Sequence, residues 1–452
     1  TADSAAAAIG MALQSANSAN IVIAGGANVT MLGWAADGAT IHAASDNVAA
    51  AVGMAIYSTG TTSDAITISG AATLVKIQGW AARNASIIKA TTATSYSAAA
   101  VGMAVFSTTS AYGAAILVLE GATAAIEGRA SRGATIHAAA ARAAAAVGMA
   151  IYSHYAAFPS YLTISGGANV TIHGWAEHDD AAIYATALTV AAAVGMALHS
   201  TGLDPVAIAN VSISGEGTNV LVHGWAAHSA SINATTDTGS AVVGIALFAT
   251  ITSTVIISDA ATVTMQGWAE NGATIHATCE NAAAAVGMAL HAKFPSVAIS
   301  SGANVTILGW ANSTTTTSTT TTMTADEPPK TSIRATATSA AAAVVGWALF
   351  GADSAKFTIS GGATTVTVHA WAAHGSATTI NAAANNAAAA VGLVLHAFPA
   401  SVTIDDGANF TILGWATNNA TIDAMVTERA AAVVGMAVHA FEPTPPTSAN
   451  SI

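Results

Sequence analysis

The chain has 452 residues, of which 53% are hydrophobic and 8% charged, and its formal net charge is −12. With 11 basic against 23 acidic residues there is no surplus of Lys or Arg to neutralise phosphates, which excludes nucleic acid as a partner. The composition is too apolar for disorder, its Ala-rich runs are broken by Gly too often for a bilayer-spanning helix, and the single Cys279 excludes a disulfide framework. No signal peptide opens the chain, as in a processed product.

Taken in chain order, the first element is already a repeat. Ser4 to Ser15 carries the first of ten copies of a phrase with consensus A-A-A-V-G-M-A-L-H-S, centred on Gly10, Gly53, Gly102, Gly148, Gly195, Gly244, Gly287, Gly346, Gly392 and Gly435. A second phrase, V-T-I-x-G-W-A, follows each of the first nine. Its tryptophans are Trp34, Trp80, Trp175, Trp225, Trp268, Trp310, Trp371 and Trp415, with Arg129 in the Trp slot of the third copy. Within each phrase the copies are mostly 42 to 50 residues apart. The two phrases share a pattern of T-I, a small-residue turn, a second strand, then Gly, a large apolar residue and Ala. That likeness predicts a smaller unit of 20 to 26 residues, alternating between a Trp form and a Met form, about nineteen in all.

Ile66-Thr67-Ile68, Val170-Thr171-Ile172 and Val402-Thr403-Ile404 alternate with period two and are β-branched, so they read as strands. Gly166-Gly167-Ala168-Asn169 and Asp406-Gly407-Ala408-Asn409 read as turns. The Ala runs invite a helix, since Ala leads the helix scale. Each run, however, is short, leads into a period-two pattern, and is followed by a Gly at a fixed place in all ten copies. The expected fold is therefore all-β: a β-solenoid, or parallel β-helix, over residues 1–440. A β-propeller with about 46 residues per blade is the alternative. Between Trp310 and Gly346 an insertion at 312–330, with a nearly all-Thr run from Ser313 to Thr322, reads as a low-complexity loop. Residues 441–452 form a Pro-rich, extended tail.

With 22-residue coils, the large residue after each Gly predicts one ladder in which Trp alternates with Met, from Trp34 and Met54 to Trp415 and Met436, on a rod roughly 90 Å long. Whether the tryptophans face in or out stays open. A bulge at the Gly would put them inside with the Met residues; parity with Val29 and Met31 puts them outside. A second ladder, Tyr57, Phe106, Tyr152, His199, Phe248, His291, Phe350, His396 and His439, reads as a half-exposed face.

No nucleophile elbow, phosphate loop, His-Glu-x-x-His or Cys-x-x-Cys is present. Most of the histidines fall at fixed repeat positions: His42, His137 and His276 after T-I; His173, His223 and His369 before Gly-Trp or Ala-Trp. They read as packing residues, and His173, His178, Asp179 and Asp180 as a solvated turn. Neither a metal nor a cofactor is expected. The 34 charges are scattered, which argues against a carboxylate groove, and Thr30, Thr67, Thr171 and their counterparts lack the regular T-x-T of an ice-binding array. Asn-x-Ser/Thr occurs at Asn28, Asn84, Asn169, Asn210, Asn233, Asn304, Asn312, Asn409 and Asn419, which together with the Thr run fits a glycosylated extracellular chain.

The V-T-I-S-G-G-A-N-V-T-I succession of turns and strands, repeated from about residue 4 to 440, resembles repetitive β-helix surface proteins: adhesins, surface-layer components and extracellular fibres. The resemblance implies a non-enzymatic structural protein at the cell surface or outside it, a self-assembling subunit of a filament, sheath or coat. Its end coils carry no charged cap, so the implied partner is a second copy of the chain, stacked head to tail. An adhesin that binds glycans or surfaces is the alternative, and a polysaccharide-active enzyme the third.

Overall fold

A computed structural model describes residues 2, 4–59, 64–92, 96–108, 113–154, 160–201, 207–313, 331–374 and 378–440; the insertion beyond Ser313 and the Pro-rich tail lie outside them. Every named element is a strand. The first turn of the chain runs through β1 (Ala5–Ser15), β2 (Asn20–Ala24), β3 (Asn28–Ala36) and β4 (Thr40–Ser45) before β5 (Val48–Ser58) returns to lie on β1. Nine such turns build four parallel sheets, one of ten strands and three of nine. This is a parallel β-solenoid.

The register corrects the size of the coil. Gly10 pairs with Gly53, and Trp34 with Trp80, so the chain needs a whole four-strand turn to come back onto itself. The coil is thus the long repeat, not the 20 to 26 residues expected, and there are about nine coils rather than nineteen. The stack is about 45 Å long at the usual strand spacing, half the length expected from the sequence. Trp and Met therefore do not alternate in one ladder. They occupy two separate sheets, here the Trp sheet and the Met sheet. Their similarity has a packing cause: the two sheets face one another across a narrow core. A Cβ added to Gly174 of the Trp sheet would sit 2.2 Å from Val194 Cγ2 of the Met sheet, and the other glycines of that column meet the facing Val in the same way. Matching walls of one coil look like successive coils when only sequence is read.

The Trp sheet alternates strictly. In Asn169–Glu177 the side chains of Val170, Ile172 and Ala176 are buried while Thr171, His173 and Trp175 face outward. Parity decides the orientation, and no bulge intervenes. The Met sheet behaves differently, being buried on both faces. Its strands are creased. Ser97 Oγ donates to the carbonyl of Val105 at 3.2 Å, although an extended strand would hold residues eight apart about 26 Å from each other. The residue two before each crease glycine, such as Ala100, drops out of the pairing, and Gly102 has φ of 144°. The limbs on either side close on each other through small side chains, Ala99 and Ala104 in this copy, which form a second core apart from the main one. The Ala runs thus serve close approach of two strand limbs rather than a helix.

Candidate functional site

Two rows of rings run the length of the solenoid. The first fills the mouth of the crease. Tyr57, Phe106, Tyr152, His199, Phe248, His291, Phe350, His396 and His439 pair in register, one per coil. Phe106 and Tyr152 stack at 5.1 Å with nearly parallel planes, and Tyr96 lies against both. The expectation of a half-exposed face holds for Tyr57, Phe248 and Phe350. It is corrected for Phe106, Tyr152 and His199, which are fully buried because the crease closes over them. Burial holds His291 and His396 down to about 4 and also pushes His199 well below the usual histidine value, so these rings are neutral packing residues near neutral pH.

The second row is the outer face of the Trp sheet. Trp34, Trp80, Trp175, Trp225, Trp268, Trp310, Trp371 and Trp415 occupy successive rungs of one column, as a single line along the axis requires, with Arg129 completing it between Trp80 and Trp175. Trp34, Trp371 and Trp415 are 63%, 38% and 62% exposed. Neighbouring indoles touch: Trp34 and Trp80 meet edge to face at 5.6 Å, and Trp310 and Trp371 stack at 5.1 Å. Two positions earlier in each strand stand Leu32, Gln78, Glu127, His173, His223, Gln266, Leu308, His369 and Leu413. His173 packs edge-on against Trp175, and burial lowers His223 to about 4. The result is a long lateral face, aromatic along one line and polar or aliphatic along the next.

Other candidates disperse. His42, His137 and His276 share a column but are separated by Lys89, Tyr184 and Asn233. Among the described residues no three His, Cys, Asp or Glu side chains gather as a metal site would require. Thr30 and Thr171 lie on the Trp sheet and Thr67 on the sheet containing β2, and Lys76, Ala125 and Leu221 interrupt the Trp-sheet column, so no flat Thr array forms. Of the sequon asparagines, Asn28, Asn84, Asn304, Asn409 and Asn419 are exposed, whereas Asn169, Asn210, Asn233 and Asn312 are half-buried. The amide oxygens of Asn169, Asn210 and Asn312 are covered. Among the described residues no helix is long and apolar enough to cross a membrane.

Sequence reasoning found both rows but missed the corner column beside the Trp row. Asp37, Arg83, Arg132, His178, His228 and Asn271 each turn the chain with φ between 52° and 65°. Each donates its backbone N–H to the coil above, as in Arg83 to Ser131 and Arg132 to Glu177. Its available signal was the residue three after each Trp or Arg129. No family model, no curated protein and no solved structure matches the chain.

Proposed function

We propose that the chain is a structural, non-catalytic, self-assembling repeat protein: a subunit of an extracellular filament, sheath or surface coat whose coils stack on those of a second copy. The observation that carries this reading is the last described coil. Val434 and Met436 are 43% and 47% exposed, whereas Val391 and Leu393, one coil below, are wholly buried. Gly435 has open space where every earlier crease glycine meets the next glycine's carbonyl. Among the described residues this is a cross-section of core whose outer strand edge pairs with no further strand, a surface on which another coil can stack. Ile9, Met11 and Leu13 of β1 offer a comparable half-covered surface at the other end.

Sedimentation over a wide concentration range, with negative-stain microscopy, tests this. The expected result is rods of several copies, dispersed by Ala8→Lys with Met436→Lys. A monomer at high concentration, or rods indifferent to both charges, removes the reading. A second reading, an adhesin that binds glycans or surfaces, is favoured by the exposed indoles of Trp34, Trp371 and Trp415.

A further inference from the structure

A groove of about 530 Å³ opens beside the Trp row in the first coils. Trp34 and Trp80 line it from the Trp row, and Arg83 and Arg132 from the corner column. Arg129, which replaces Trp, contributes a third guanidinium, so three of the chain's 11 basic residues meet in one place. Glu177 binds Arg129 at 2.8 Å and His178 at 3.1 Å. No ion pair among the described residues engages Arg83 or Arg132. They stand on successive rungs of the corner, about 4.8 Å apart at the backbone, where stacked like charges are destabilising. A chain of net charge −12 thus holds two unpaired cations side by side against one exposed and one half-buried indole.

We infer that this groove binds an acidic saccharide, a glycan chain containing uronic acid residues. Arg83 and Arg132 each present a planar fork that matches a carboxylate in two parallel hydrogen bonds, which would also relieve their mutual repulsion. Trp34 and Trp80 offer broad apolar surfaces to the C–H faces of pyranose rings. A polyphosphate suits the groove less well: Asp37 also lines it, and two free guanidinium groups are few against so dense a charge. The inference rests on the adhesin reading for its class of ligand and adds to it the site and the charge preference.

Calorimetric titration of the whole chain with a galacturonate hexamer and with a neutral glucan hexamer tests it. Saturable binding of the acidic hexamer is expected, with each of Arg83→Gln and Arg132→Gln weakening it roughly tenfold and the neutral hexamer binding far more weakly. Both arginines are exposed, so the variants should fold, and an unchanged or raised melting temperature checks this. Equal binding of both hexamers, lost in Trp80→Ala, overturns the acidic groove but leaves the adhesin reading standing. Binding of neither hexamer overturns the groove. Acidic binding unchanged in the double Gln variant, or matched by inorganic polyphosphate, overturns the groove.

Discussion

At Gly148 a methyl group has no room. Its φ is 142°, and a Cβ there would lie 1.8 Å from the carbonyl oxygen of Gly195 in the next coil. The obstacle is backbone held by the sheet, so it cannot yield. The glycine column of the Trp sheet is constrained differently, since Gly174 meets only a valine methyl, and one member of that column is already Ala370, fully buried. Gly148→Ala should therefore abolish cooperative folding, whereas Gly174→Ala should cost about 1–3 kcal/mol in urea denaturation followed by circular dichroism. Equal effects would remove the distinction.

The histidines set a pH limit at the same scale. Burial lowers His137, His223, His291 and His396 from 6.5 to about 4. Their folded pKa lies below the unfolded value, so the unfolded chain takes up protons first as pH drops. The stability they support is complete above about pH 6.5 and declines as pH falls toward about 4. The urea midpoint should be level from pH 8 to 7 and then drop through this window. A level midpoint down to pH 4.5 would mean these rings are solvated.

At the scale of the element, the creased strand is the unit that sequence showed only in part. Its composition was plain, and so were the conserved spacing of Gly and the ring ladder, because each obeys a local rule of turn chemistry or alternation. The crease was not legible, because Ala is compatible with helix, flat strand or close-packed limbs, and only the partner limb decides among them. Ala150 lies in that second core, so Ala150→Leu should destabilise by about 1–3 kcal/mol through overpacking. Tyr152→Ala, which removes a stacked ring and its bond to His154 at 2.9 Å, should cost about 3–5 kcal/mol. Denaturant midpoints of the two variants near wild type would argue that the crease is loosely packed. The arginine groove was illegible for a related reason. Arg83, Arg129 and Arg132 look scattered in sequence, and they converge only through a coil of some 46 residues.

At the scale of the whole molecule, the length of that coil governs everything else. It places one ring per rung in each row, brings Arg83 beneath Arg132, and sets the length of the stack. Each coil contacts only its neighbours, so hydrogen exchange should be slowest in the central coils and fastest toward both ends, without one cooperative limit. The most direct measurement is the distance between spin labels at Thr171 and Thr411, on one outward column five coils apart. Cys279 is buried and its thiol is pushed up to about 12, so it stays unlabelled when cysteines are introduced at the two sites. Four-strand coils predict about 24 Å between the label sites by pulsed electron resonance, whereas two-strand coils would give about 48 Å and contradict the account.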